Sequence, residues 1–471
     1  MFKANKDYMI SFSESQFRQA TNVFPDNFED VFYALGFEYE TKNRTICLIR
    51  QVLNPYEFNV ERGIAHVSPS PEFLCRLYNQ LRKEQAKIVL QIHWHKFSEK
   101  PAFSGIDDKC AHLLLEDASK IIPNIRVVQI VFGNNSEHYK ARYLKDRKFI
   151  YFNNLEIVGQ EGIKSWPEKR RFSLFSYRPE KIFEKNVLAF SREGQEKISK
   201  IKIAVIVASG IGSGIIYQAA RIGFQNISII DFDRITADNC NRLYFVENPK
   251  KAIGKLKTKF MAKAFKRFNH KAKIRCFTGN ARDKKAQELL READLIILAV
   301  DNDSIRAIIN SFCAQYCKPL VNIATGIFMD KEGNKIESAG TQVQWFLPRE
   351  ADYPCLRCQG SLNQKEIEES LMSETQKENR RKAGYISNTA ISPEPQVMPL
   401  NGIGISMAMW EICCWITGIR KLTPWIYYDA IENRILKMQV KQNSGCSCCG
   451  LNELSVLALG DYEHKLLTER S

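Results

Sequence analysis

An α/β protein of two units is predicted, on three observations. Strands alternate with helices over the first ~160 residues. A polar, basic, proline-interrupted stretch follows (KSWPEKRRFSLFSYRPEK). From Lys202 a strand–turn–helix pattern then repeats. The expected bounds are 1–158 for the first unit, 159–185 for a linker and 186–471 for the second.

Each element has its own signal. RTICLIRQV from Arg44 is rich in β-branched residues and reads as a strand. EFLCRLYNQLRKEQ from Glu72 spaces its apolar residues as a helix does. KIVLQIHWH from Lys87 is a buried strand ending in histidines. DDKCAHLLLEDASK from Asp107 is a helix, and RVVQIVFG from Arg126 another strand. In the second unit KIAVIV is a strand, SGIGSG a turn, IIYQAARIG a helix and ISIIDFD the next strand. IRCF, LIILAVD and PLVNIA follow as strands. Strands separated by helices imply a parallel, doubly wound sheet, which binds ligands at the carboxyl ends of its strands.

Composition excludes several classes. Hydrophobic residues are 44% and charged residues 26% of 471, a globular balance. No run of about 18 apolar residues occurs, so no membrane span is expected. The N-terminus has no apolar signal-peptide core, so a cytoplasmic chain is expected. The net charge of +15 is spread along the chain, with no like-charge tract and no stacked-aromatic motif, which argues against nucleic acid as partner. Of fourteen cysteines most stand singly in apolar runs; Cys47, Cys276 and Cys313 read as core thiols.

Chemistry enters first at the histidines. Strand alternation puts His93 and His95 on one face. Nine residues on, Ser104 and Asp107 stand at a helix start. Two histidines and a carboxylate form a zinc shell with one open position, and Glu29 upstream is a candidate general base. Together, HxH, SxxD and an upstream Glu resemble the JAMM (JAB/MPN) metallo-isopeptidase family over residues 1–150. The resemblance implies a catalytic zinc on His93, His95 and Asp107, with Glu29, seven residues before Gly36, as acid/base. Ser104 would support the tetrahedral intermediate. Trp94 and Lys96 stand where that family usually has a small hydroxyl residue and a proline, which bears on the shape of its substrate groove.

The second unit carries an ordered series. Gly210 and Gly212 lie after the first strand, though only Gly212 fits a dinucleotide GxGxxG register. Asp231 and Asp233 end the second strand, where a carboxylate reaches a ribose hydroxyl. NCNR brings Asn241 and Arg242 towards phosphates, and Lys257 adds a point charge. VDN offers Asp301 for magnesium with Asn302 beside it as a cofactor-binding residue, followed by Arg306 and Asn310. A site that activates a carboxylate with ATP needs this series, whereas a dehydrogenase does not. The series resembles the ThiF/MoeB and ubiquitin-activating-enzyme superfamily over residues 185–455. The resemblance implies a Rossmann-like fold and acyl-adenylate formation on the terminal glycine of a ubiquitin-like or sulfur-carrier protein. It assigns Asp231 to ribose, Arg242 and Lys257 to phosphates and Asp301 to magnesium. It also implies a homodimer.

Cys355/Cys358 and Cys446/Cys449 are two CxxC knuckles that suit a structural zinc, with Cys448 a rival ligand and a redox pair the alternative. Residues 359–400 contain no cysteine, and Cys413 and Cys414 lie in an apolar helix. The adenylate therefore passes directly to an acceptor, or a conjugating protein with a reactive cysteine takes it, or a thiol such as Cys240 acts. The whole resembles bacterial JAMM–ThiF fusions, which implies processing and activation of one ubiquitin-like tail, as in a bacterial conjugation or antiphage system. Two rivals make different predictions: a sulfur-carrier adenylyltransferase yields a thiocarboxylate, and a non-catalytic scaffold supports no pyrophosphate exchange.

Overall fold

The structure is a computed structural model. It describes residues 7–64, 66–166, 179–206, 209–330, 332–370, 372–373, 375–376, 378 and 395–462. Much of the expected linker (167–178), Val207 and Ala208, and the crossing stretch 379–394 lie outside the described residues.

The first unit is a nine-stranded sheet ordered β11-β10-β1-β3-β2-β6-β7-β8-β9. Its strands are β1 (Asp7–Ser13), β2 (Val31–Glu40), β3 (Arg44–Leu53), β6 (Ile88–Trp94), β7 (Arg126–Phe132), β8 (Tyr139–Lys145), β9 (Lys148–Phe152), β10 (Leu155–Gly159) and β11 (Gly162–Trp166); a separate hairpin is β4 (Val60–Arg62) with β5 (Val67–Pro69). Helices α1 (Glu14–Thr21), α2 (Pro71–Glu84) and α3 (Gly105–Ile121) pack on it. Alternation divides each strand between two cores: Ile10, Cys47 and Ile49 face one cluster, while Met9, Ile46 and Leu48 face the other.

The second sheet is ordered β14-β13-β12-β15-β16-β17-β18-β19. Its parallel strands are β12 (Lys202–Ile206), β13 (Asn226–Ile230), β14 (Lys273–Phe277), β15 (Leu295–Leu298) and β16 (Leu320–Met329). β17 (Ile336–Phe346), β18 (Trp425–Asp429) and β19 (Arg434–Met438) add on antiparallel, so the sheet is mixed rather than wholly parallel. Around it lie α4 (Glu184–Lys200), α5 (Gly210–Ile222), α6 (Pro249–Ala252), α7 (Lys257–Phe268), α8 (Lys284–Glu292), α9 (Asp303–Gln315), α10 (Gln364–Ser370) and α11 (Met398–Thr417). Among the described residues no helix is long and apolar enough to cross a membrane.

Three expectations change. SGIGSG is not a turn: helix α5 begins at Gly210, with Ser209 as its N-cap. Residues 162–166 are not linker, because β11 pairs antiparallel with β10 and Trp415 Nε1 donates to Gly159 O at 2.8 Å. Cys276 is exposed, because β14 is the sheet's edge; Cys47 and Cys313 are buried as expected.

The two units share a core. Met9, Tyr39, Ile46 and Leu48 pack in one cluster with Phe312, Tyr316 and Leu457. Arg50, 2% exposed, pairs with Glu84 at 2.6 Å and donates to the carbonyls of Leu457 and Asn452. Asp461 N donates to Glu38 O, and Tyr462 stacks on Phe37.

Candidate functional site

A cavity of ≈ 1340 Å³ opens where β12, β13 and β15 end. Helix α5 points its first turn at it. Ser209 makes no side-chain cap there; its hydroxyl donates to Ala299 O at 3.2 Å instead. The leading N–H groups therefore face the cavity uncapped, as an anion site requires. Gly210 permits the close approach: a Cβ there would lie 2.9 Å from Asn401 Nδ2 and 3.2 Å from Arg242 Cγ.

Charge is arranged around this point. Asp231, 2% exposed, accepts from the backbone N–H of Asp233 at 2.7 Å. Lys257, 5% exposed, donates to Asp233 Oδ2 at 2.9 Å. Arg242 donates to Asp238 O and Asn241 Oδ1. Arg306 holds Asp303 and the Val300 carbonyl. Asp301 is exposed on the cavity wall. Beside it Asn302 caps α9, its Oδ1 accepting from Ile305 N at 3.0 Å. The far wall is built from β16 and β17, where Ala324, Thr325, Gly326, Gly340 and Thr341 line a groove flanked by two aromatic rings, Phe328 against Gly326 and Tyr427 against Gly340.

Gly210, Asp231, Asp233, Arg242, Lys257, Asp301, Asn302 and Arg306 thus share one cavity. Three expected members do not line it. Gly212 is buried within α5, and Asn241 is exposed, because the turn at Ala237–Asn239 presents Asn239 to the cavity instead. Asn310 is a buried residue of α9 itself, where its Oδ1 accepts from Leu356 N and its Nδ2 donates to Cys448 Sγ. Asn401 was missed; the only hint was one amide in the apolar run MPLNGIGISM.

The four knuckle cysteines converge, their Sγ atoms all within 4.8 Å. Cys355–Cys446 and Cys358–Cys449 are 3.7 and 3.6 Å apart. A tetrahedral zinc with ~2.3 Å bonds sets its sulfurs about 3.8 Å apart, so these residues fit the metal. The distances are far beyond a disulfide's ~2.05 Å. Cys448 is not one of the converging four; its Sγ takes a hydrogen bond from Asn310 Nδ2 at 3.1 Å.

In the first unit His93, His95 and Asp107 also converge. His93 Nε2 lies 3.1 Å from Asp107 Oδ1, yet it is buried and makes no aligned hydrogen bond among the described residues. Ligand atoms of a tetrahedral zinc with ~2.0–2.1 Å bonds stand about 3.3–3.4 Å apart, so this set fits too. Burial pushes the Asp107 carboxyl up, but pairing with His93 and the Ser104 cap outweigh it and hold it well below its usual range. Burial and the neighbouring His93 push the His95 imidazole down. Ser104 is engaged in the α3 capping box: its N–H and hydroxyl both donate to Asp107 Oδ2, at 2.6 and 2.8 Å. It thereby orients Asp107. Glu29 Oε1 is 3.7 Å from His95 Nε2, and burial pushes its carboxyl up. Gly36 follows at a β-bulge, where a Cβ would lie 2.4 Å from Leu48 O. Trp94 alternates to the other face and stacks on Phe132, while Lys96 pairs with Asp30 at 2.7 Å.

Comparison with known proteins adds a family to this geometry. The molybdopterin-synthase adenylyltransferase of Escherichia coli is 24% identical over 264 residues, 55% of this chain and 92% of that protein. The sulfur carrier protein adenylyltransferase of Thermus thermophilus is 26% identical over 279 residues, 58% of this chain and 90% of that protein. SUMO-activating enzyme subunit 2 of Dictyostelium discoideum is 29% identical over 144 residues, and the chain spans only 22% of it. The family model described as ThiF matches residues 183–448, more than half of the sequence. The chain belongs to the ThiF family.

Proposed function

We propose that the chain uses ATP and magnesium to adenylate the C-terminal glycine of a ubiquitin-like or sulfur-carrier protein, and that its first unit is a zinc-dependent peptidase acting on the same tail. One observation carries the reading. A single cavity joins an uncapped helix N-terminus, ringed by Arg242, Lys257 and Arg306, to the groove on β16 and β17. The first part suits a triphosphate and the second a narrow glycine tail. The relatives named as adenylyltransferases support the chemistry.

In this reading a carboxylate oxygen of the terminal glycine attacks the α-phosphorus. The bond to the β-phosphate oxygen breaks, and pyrophosphate leaves with its charge. Asp231 accepts from the ribose hydroxyls. Arg242, Lys257 and Arg306 neutralise the phosphates, and Asp301 would hold magnesium, which when bound would supply charge compensation to the leaving group. Cys413 and Cys414 are buried in α11, and Cys240 does not line the cavity. The acyl group therefore goes straight to an acceptor or to the thiol of a separate conjugating protein.

In the first unit His93, His95 and Asp107 would hold zinc, which when bound supplies Lewis acidity towards a scissile carbonyl. Glu29, its carboxyl raised by burial, takes a proton from the attacking water and returns it to the leaving amine. Ser104 fixes Asp107 in place. Two units on one chain then process and activate one tail. A homodimer belongs to the same proposal, and sedimentation of the purified chain measures it.

The test is mass spectrometry of a small glycine-tailed ubiquitin-like protein after incubation with the chain and MgATP. An AMP adduct on its carboxyl end is expected. A protein left unmodified while ATP stays intact contradicts the proposal. Incubation of a C-terminally extended precursor with wild type and with His93→Ala tests the first unit; equal cleavage by both refutes the peptidase assignment.

A further inference from the structure

We infer that Asn401 is a ligand-binding residue of the adenylation cavity, its side-chain amide donating to an oxyanion where nucleotide and tail meet. The inference rests on the adenylation reading. Asn401 stands in the first turn of α11 and is 2% exposed. It lines the cavity, and its Nδ2 has no hydrogen-bond partner among the described residues. A buried amide donor is unfavourable unless something accepts from it.

Its position says what accepts. Nδ2 lies 2.9 Å from the point where a Cβ on Gly210 would stand, so the amide sits against the first residue of α5. The stem of Arg242 passes within 3.2 Å of the same point. Three residues on, and so on the same helix face, Gly404 touches β17: a Cβ there would lie 2.2 Å from Thr341 Oγ1. Thr341 belongs to the groove on β16 and β17. This face of α11 therefore bridges the phosphate end and the tail end, with Asn401 at the join.

The surroundings are donor-rich. Arg282 Nε and Arg306 Nε, on the same cavity, are also buried without hydrogen-bond partners among the described residues. An amide among uncapped N–H groups and guanidinium nitrogens matches a phosphate or carboxylate oxygen. In the reaction that oxygen belongs either to the α-phosphate or to the incoming glycine carboxylate. A donor aimed at the charge that develops there stabilises the transition state.

The experiment uses the full chain as wild type, Asn401→Ala and Asn401→Asp, with Asn401→Leu as a donor-free replacement of similar size should alanine prevent folding. MgATP binding is measured directly, without any partner. Pyrophosphate exchange is then measured with a synthetic peptide ending in Gly-Gly, and thermal melting in parallel. Exchange is expected to fall about 100-fold in the alanine variant, and further in the aspartate variant, whose carboxylate repels the oxyanion. The melting temperature is expected to hold or rise, because Nδ2 has no hydrogen-bond partner to lose among the described residues. A raised Kd for MgATP assigns the contact to the phosphate. An unchanged Kd with a raised KM for the peptide assigns it to the carboxylate. The inference is overturned if wild type is active and the alanine and aspartate variants match it within about twofold. It is equally overturned if lost activity follows a lowered melting temperature. A wild type that binds MgATP but never exchanges pyrophosphate defeats the adenylation reading instead.

Discussion

Lys257 Nζ lies 2.9 Å from Asp233 Oδ2 on the wall of the large cavity. The lysine is nearly inaccessible, whereas the Asp233 side chain is 43% exposed. The carboxylate thus holds the buried Lys257 side chain in place.

That arrangement predicts the effect of Lys257→Ala. A hydrogen bond from a charged donor is worth roughly 1.5–3 kcal/mol, so the Kd for MgATP should rise about 10- to 100-fold. Lys257→Arg should not restore binding, because a planar guanidinium does not replace a compact ammonium in this space. Equilibrium binding of MgATP decides, and an unchanged Kd in the alanine variant removes Lys257 from the phosphate site.

The two proposed metal sites together predict about two zinc ions per chain. Cys358→Ser should remove one and lower the melting temperature, because closed four-thiolate sites contribute to folding. His93→Ala should remove the other and leave the melting transition close to wild type. Elemental analysis of the purified chains reads both. Unchanged zinc in the histidine variant rejects the proposed ligand set.

Thiol reactivity gives a third prediction. Burial pushes Cys413 up to about 12 and raises Cys414 as well. Both stay neutral near pH 8, so iodoacetamide should label them only after unfolding. Between about pH 9 and 12 the unfolded chain has lost the Cys413 proton and the folded chain has kept it. Stability from this group therefore falls as pH rises through that window. Rapid labelling of Cys413 in the native chain at pH 8, read by peptide mass spectrometry, contradicts the buried assignment and reopens a thioester at this helix.

Arg50 ties the units together through Glu84 and the carbonyls of Asn452 and Leu457. Its removal leaves a buried carboxylate unpaired. Arg50→Ala should destabilise the chain by about 3–5 kcal/mol, measured by chemical denaturation. It should also deprotect the backbone amides near Val456 and Ala458 in hydrogen exchange.

Local signals made much of this legible in the sequence. The near-continuous apolar runs at 44–53 and 88–94 and the helical period at 71–84 gave their elements directly. HxH and SxxD needed only strand alternation and a helix cap to bring three ligands together. Features that depend on distant packing were not legible. Asn239 replaces Asn241 on the cavity because a short turn rotates the chain there. The sheet ends antiparallel because β17, β18 and β19 join without helical crossovers between β16 and β17 or between β18 and β19. The docking of Asn452 on Arg50 joins residues 402 apart in sequence. Asn401 gains its meaning only from Gly210 and Thr341 beside its helix.

Pyrophosphate–ATP exchange driven by a small glycine-tailed ubiquitin-like protein, compared between wild type and Asp301→Ala, tests the central claim most directly. The account predicts exchange that requires the small protein and falls at least about 100-fold in the variant, where the leaving group loses its magnesium ligand. Equal exchange by the two chains, or none by either, contradicts it.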